Sequence, residues 1–228
     1  MIKHHPTDEL LKVFVDGELP ASLSAAISIH TDMCPICQNK VAQLTEFQAS
    51  HSFEPAHGQL FNVSDGIDHD EEASIDFDSM IDAITNDTTI AIPSLSIDKK
   101  IKIHDTTYTL PRAIQNIAMG GFTKLGKLSR ARFKLDEGAI HTSLLHIQPG
   151  GGVPEHTHKG YELTLLLNGE FSDDMGEYVP GDFIMLDAKH THNPTSQKGC
   201  LCFTVANAAS HFTQGINRLL NPIGTFIY

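Results

Sequence analysis

The sequence predicts an α+β chain of two unequal parts, a small N-terminal helical bundle followed by an all-β barrel. Three observations predict it. Apolar residues recur at helical spacing up to about residue 48 and again near Phe77 to Ile84, whereas from about Ile90 short strands alternate with Gly and Pro turns. At 228 residues the chain exceeds the commonest domain size of about 100–150 residues, so two domains are expected, 1–88 and 89–228. Finally, each part carries its own cluster of His, Cys or Glu at metal-ligand spacing.

Thr7 is placed to cap a first helix, Asp8 to Asp16, with Leu10, Leu11 and Phe14 on one face and Gly17 as its stop. A second runs from about Ser22 to His30. A third opens at Pro35, which suits a first helical position because it lacks the N–H that would go unpaired there, and carries Val41 and Leu44. Ser50 to Asp70 is rich in Pro, Gly, His, Asn and Asp without period and reads as a linker. Between Asp65 and Asp87 stand nine Asp or Glu and no Lys or Arg. Within that acidic run Phe77, Met80, Ile81 and Ile84 recur at i, i+3, i+4 and i+7, so Ser74 to Ile84 forms an amphipathic helix, with Asp76, Asp78 and Asp82 largely off the stripe. Alone it is too short to be stable in water, and it needs a partner surface. The β part follows, with strands at Ala139–Ile147, Glu162–Leu167 and Gly199–Val205 and turns at Pro149 to Gly152, Asn168-Gly169 and Pro180-Gly181-Asp182.

Composition excludes some functions. A net charge of −12 argues against a nucleic-acid ligand, whose phosphates are held by clustered Lys and Arg, and favours a basic protein partner. No run approaches the roughly 20 apolar residues of a membrane span, and Met-Ile-Lys-His-His-Pro lacks the apolar core of a secretion signal, so a cytoplasmic protein is expected. Four cysteines in two close pairs, Cys34/Cys37 and Cys200/Cys202, point to metal or redox chemistry in such a compartment.

His30-x3-Cys34-x2-Cys37 predicts a structural zinc site, because Cys-x2-Cys lets two thiolates from one turn grip one ion and His30 adds a third ligand. At the N-terminus of the third helix the dipole favours the thiolates. The fourth ligand is sought on the arm that leads into the first helix, at His4 or His5. Three short helices bury little apolar surface, and zinc adds on the order of 10 kcal/mol of apparent binding free energy to such a fold.

In the β part, Gly150-x5-His156-x-His158-x3-Glu162-x6-Gly169 resembles in full the first motif of the cupin barrels. Strand period two turns His156 and His158 to one face, and Glu162 adds an oxygen ligand from the next strand. The segment from Gly181 to His192 resembles the second cupin motif, which would make His192 the last ligand. It departs from that motif at Asp187, Lys189 and Asn193, and His190, on the same face, competes with His192. Three His and one carboxylate suit Zn, Fe, Mn or Ni. Cys200 and Cys202 share a strand face, either as small core residues or as an oxidant-sensitive pair.

Together the His30–Cys37 motif, the preceding His5, the Asp16-Gly17-Glu18-Leu19 helix end and the cupin motifs resemble the ChrR-type zinc anti-sigma factors, in which a zinc-binding anti-sigma domain precedes a cupin. The resemblance implies that His5, His30, Cys34 and Cys37 bind zinc, and that the helix near Phe77 to Ile84 completes a four-helix module. That module would hold an extracytoplasmic-function (ECF) type sigma factor. It also implies zinc in the cupin, a response to oxidative stress such as singlet oxygen or organic hydroperoxide, and a regulatory protein that is not an enzyme. From the residues alone, a metal-dependent cupin enzyme such as a dioxygenase is the competing expectation.

Overall fold

The computed structural model describes residues 1–53, 76–87, 98–208 and, as backbone, 210–212. The expected boundary at 88/89, most of the Ser50–Asp70 linker, and Ser74 and Ile75 lie outside the described residues.

Helix α1 (Asp8–Val15) starts where Thr7 Oγ1 accepts from Leu10 N–H at 3.2 Å and ends before Gly17, whose φ is +76°. Helix α2 (Ala21–Met33) buries Leu23, Ala25, Ala26, Ile27, Ile29 and His30. A helix buried nearly all round must have neighbours on both sides, and α2 lies between α3 and the β part. Pro20 supplies no side-chain cap to α2; instead Ser22 N–H donates to Glu137 Oε1 of the β part at 3.0 Å, where the positive helix end favours a carboxylate. Helix α3 (Pro35–Phe53) opens at Pro35 as expected but runs beyond Ser50. The residues there are polar, yet the first helix-breaking proline is Pro55, so composition ended the helix too early. Helix α4 (Phe77–Thr85) is capped by Asp76, whose Oδ1 accepts from Ser79 N–H at 3.1 Å. Its stripe of Phe77, Met80, Ile81 and Ile84 is 52–66% exposed. Among the described residues, no helix is long and apolar enough to cross a membrane.

Strands β1 (Lys100–Ile103) and β2 (Thr106–Thr109) form a hairpin, followed by the short helix α5 (Arg112–Gln115). The main sheet takes β3 (Thr123–Leu125), β4 (Leu128–Arg132), β5 (His141–Ile147), β8 (Glu162–Gly169), β11 (Phe183–Leu186) and β14 (Cys200–Ala206), in the order β11-β8-β14-β5-β4-β3. A second sheet, β10-β9-β13-β6, uses β6 (Gly151–Gly152), β9 (Phe171–Asp173), β10 (Gly176–Tyr178) and β13 (Thr195–Ser196). Strand β7 (His156–His158) pairs with β12 (Thr191–His192) and β15 (Ser210–Phe212). All pairings are antiparallel, as in a double-stranded barrel.

Both faces of the central strands of the main sheet are buried. Leu145, Ile147, Leu166, Cys200 and Cys202 pack inside the barrel with Phe171, Tyr178 and Ile184. Leu144, Leu163, Leu165, Leu201, Phe203 and Val205 face outward into one core with Leu11, Leu23, Ala26 and Ile27 of the helices. The helical module is therefore supported by the barrel as well as by its own residues. Gly169 closes the β8–β9 turn with φ +84°; a Cβ there would lie 2.1 Å from the Gly199 carbonyl oxygen.

The turn before β11 anchors the N-terminal arm. Buried Asp182 accepts from Lys3 and His4 N–H at 2.7 and 3.0 Å through Oδ1 and from Val179 N–H at 2.8 Å through Oδ2, while Phe183 N–H donates to the His4 carbonyl at 3.0 Å. Gly181 sits under the arm at φ +94°, where a Cβ would meet Ile2 Cδ1 at 2.4 Å. Gly181→Ala is expected to lose about 1–3 kcal/mol through the positive φ and the clash. Thermal denaturation should show the lower midpoint, and an unchanged midpoint would mean that the arm is not packed there.

Candidate metal centres

Among the described residues two clusters of ligand atoms form, each with its donors within 4.8 Å of one another: His5, His30, Cys34 and Cys37, and His156, His158, Glu162 and His192.

The first is assembled by sequence-local geometry plus one long-range contact. Cys34 ends α2, its N–H bonded to the His30 carbonyl at 2.8 Å, and its own carbonyl accepts from Gln38 N–H at 2.9 Å in the first turn of α3. Both cysteines thus lie at the positive end of α3. His5 Nδ1 stands 3.4 Å from Cys34 Sγ and 3.5 Å from Cys37 Sγ. A tetrahedron with Zn–N near 2.0 Å and Zn–S near 2.3 Å has N···S edges of about 3.5 Å, so these separations suit one ion. His30 Nδ1–H donates to the Gly181 carbonyl at 2.7 Å, and its buried Nε2 has no hydrogen-bond partner among the described residues, which suits a ligand. Burial, and then the adjacent Cys34, push the Cys37 thiol up to about 11; a divalent cation reverses that penalty by holding the thiolate. His4 points elsewhere, its ring centroid 5.0 Å from that of Tyr178.

In the second cluster His156 and His158 alternate on β7, Glu162 opens β8, and His192 reaches them because β12 pairs with β7 in the register His192↔His156. Glu162 Oε2 lies 3.0 Å from His158 Nε2, 3.3 Å from His192 Nε2 and 3.9 Å from His156 Nε2. His192 Nε2 is 3.0 Å from His156 Nε2 and 3.4 Å from His158 Nε2. Three imidazole nitrogens converging on one carboxylate oxygen suit a shared cation. Without a metal the proton supplies it. Burial alone would lower the His192 pKa, but Asp173 and Glu162 outweigh burial and raise it to about 9. Burial likewise opposes the Glu162 charge, yet the three histidines hold its carboxyl well below the usual range.

His190 lies outside this cluster. It is exposed, with Nδ1 2.8 Å from Asp187 Oδ1, and Asp187 also accepts from Lys189 N–H at 2.9 Å. The departure from the cupin motif at Asp187 thus builds the turn that carries β12. The sequence reading missed Asp173, whose buried Oδ2 stands 3.4 Å from His192 Nδ1; in Phe-Ser-Asp-Asp-Met-Gly it looks like an ordinary turn acid. His156 is oriented by Nδ1–H donation to the Pro154 carbonyl at 2.8 Å. A cavity of about 30 Å³ adjoins the cluster, lined by His156, Glu162, His192 and Asp173 with Leu145, Phe171 and Cys202 among its walls. Cys200 and Cys202 are unbridged and buried in the barrel core.

Residues 127–210 match the family model described as the ChrR cupin-like domain. The chain is 26% identical over 228 residues to anti-sigma-E factor ChrR of Cereibacter sphaeroides, covering 97% of each. Among solved structures it resembles Rhodobacter sphaeroides SigE in complex with the anti-sigma ChrR, at 21% identity and a TM-score of 0.61, covering 90% of this chain and 99% of that one. An RmlC-like cupin from Ralstonia eutropha gives 18% identity and a TM-score of 0.36 over 39% of this chain and 61% of that one.

Proposed function

We propose that this chain is a cytoplasmic anti-sigma factor of the ChrR type, a helical module joined to a ChrR cupin-like domain. The helical module binds an ECF-type sigma factor and keeps it from core RNA polymerase. Zinc held by His5, His30, Cys34 and Cys37 staples that module, and a divalent ion, zinc or otherwise Fe, Mn or Ni, is held by His156, His158, Glu162 and His192. In the cupin the bound ion would supply Lewis acidity toward a small ligand or oxidant. The observation that carries this reading is the resemblance along nearly the whole chain to a protein named for that role.

Two features support it. The apolar stripe of α4 is exposed, as is Phe47 on α3, beside a groove of about 580 Å³ between α1 and α3. Amphipathic surfaces of this kind fit a protein partner. The cupin cavity, at about 30 Å³, admits a water or a similarly small oxidant but not the organic substrate of a typical enzyme pocket of 300–1,000 Å³. This favours a small oxidant such as singlet oxygen as the signal over the organic substrate of a dioxygenase, and over an organic hydroperoxide entering the same cavity.

Adding the purified chain to RNA polymerase and the cognate sigma factor should suppress transcription from that sigma factor's promoter; undiminished transcription with excess chain rejects the reading. Ile81→Asp with Ile84→Asp should weaken sigma binding about tenfold or more, read by titration calorimetry. Reversing the charges of Asp76, Asp78 and Asp82 should slow association in low salt, and an unchanged on-rate would rule out steering.

A further inference from the structure

The segment from β9 to β11 touches both metal clusters. At one end Asp173 Oδ2 faces His192 Nδ1 at 3.4 Å, and Asp173 Oδ1 accepts from Tyr178 Oη at 3.1 Å and from Met175 N–H at 2.9 Å. At the other end the Gly181 carbonyl accepts from His30 Nδ1 at 2.7 Å. Between them Asp182 Oδ2 holds Val179 N–H, the residue after Tyr178, while Asp182 Oδ1 holds the backbone of Lys3 and His4 just before the ligand His5. Tyr178 is buried, with its ring against Phe171 and His4, at centroid distances of 4.6 and 5.0 Å. Hydrogen bonds of Asp173, Tyr178 and Asp182, joined by the peptide links Tyr178–Val179, Gly181–Asp182 and His4–His5, therefore make a short route from a ligand of one cluster to two ligands of the other.

Metal-bound histidines are fixed in tautomer and direction by the partner of their second nitrogen, and changing that partner typically alters metal affinity 10–100-fold. A partner that belongs to a segment shared by two sites makes the occupancy of one bear on the other, with the same factor in both directions.

Resting on the proposal that both clusters bind metal, we propose that Asp173 and the Gly181 carbonyl are positioning groups for the two centres. The Asp173–Asp182 segment that carries them links the centres thermodynamically. Loss of the cupin ion loosens Asp173, and through Tyr178 and the turn it changes how firmly His30 and His5 hold the ion of the helical module.

Cobalt(II) distinguishes the sites, because only the cluster containing Cys34 and Cys37 gives thiolate charge-transfer absorption. Full-length wild type, His158→Ala, Tyr178→Phe and the double variant form a cycle in which the affinity of the cysteine site is read from that band. Emptying the cupin with His158→Ala should change that affinity about fivefold or more, within the usual range of coupled sites. The same change in the Tyr178→Phe background should shrink to less than about twofold. In a separate titration, Asp173→Asn should weaken the cupin site about tenfold. Cobalt bound at both sites with a cysteine-site affinity that ignores His158→Ala overturns the linkage alone, as does an equal effect with and without the Tyr178 hydroxyl. Wild type that binds fewer than two ions overturns the metal reading and the linkage with it.

Discussion

Cys34→Ser is expected to release one metal ion per chain and to unfold most of the helical module, seen as loss of one equivalent by elemental analysis and a large fall in helical circular dichroism. A serine oxygen is a poor zinc ligand, and the remaining His5, His30 and Cys37 then lose an interaction whose apparent free energy is on the order of 10 kcal/mol. The measured loss should be smaller, several kcal/mol, because α2 also rests on the outer face of the main sheet through Leu23, Ala26 and Ile27. For the same reason the damage should spread: Phe203, Leu201 and Val205 lose part of their cover, and the barrel should unfold at a lower temperature. A variant that keeps its helical signal and its sigma binding without the ion would refute a metal-supported module.

Glu162→Gln is the second large effect. It removes the one anionic ligand from a site of three histidines, and the cupin ion should bind at least about 100-fold more weakly, beyond what a change outside the ligand shell produces. In wild type the uptake of that ion must displace the proton that His192 holds up to about pH 9. Apparent affinity should therefore climb with pH, by about tenfold per unit, and level off near that value. The metal-free protein has its own pH window. The raised pKa of His192 contributes stability fully below 6.5, its ordinary value, and loses it as pH rises through about 9. The depressed pKa of Glu162 contributes above 4.5, its ordinary value, and loses it on acidification. Burial lowers the pKa of His30, His141 and His146, which costs stability on acidification below 6.5, so chelator-treated protein should be most heat-stable near pH 6.5, and a midpoint that rises from pH 6.5 to 9 would contradict the ion-pair geometry.

Much of the site could be read from spacing. Cys34 and Cys37 at i+3, and His156 and His158 at i+2, need only one helical turn and one strand to converge. What spacing could not decide was direction. His4 and His5 are neighbours on an extended arm, and the hold of Asp182 and Phe183 N–H on the backbone of Lys3 and His4 leaves His5 toward the cysteines and His4 toward Tyr178. His190 and His192 share parity, but β12 begins at Thr191, which leaves His190 in the Asp187 turn. The seating of the helices on the barrel had a signal that went unread: Cys200–Ala206 is apolar at nearly every position, the mark of a strand covered on both faces. Asp173 had none, since its role depends on β9 lying beside β13 and on the β12 register that follows from it.

The most direct measurement is native mass spectrometry of the chain co-expressed with the ECF-type sigma factors of its own organism. The expected mass is that of one chain, one sigma factor and two metal ions, and Cys34→Ser should lose both the sigma factor and one ion. A chain that carries both ions and remains alone beside every such sigma factor would contradict the proposed function.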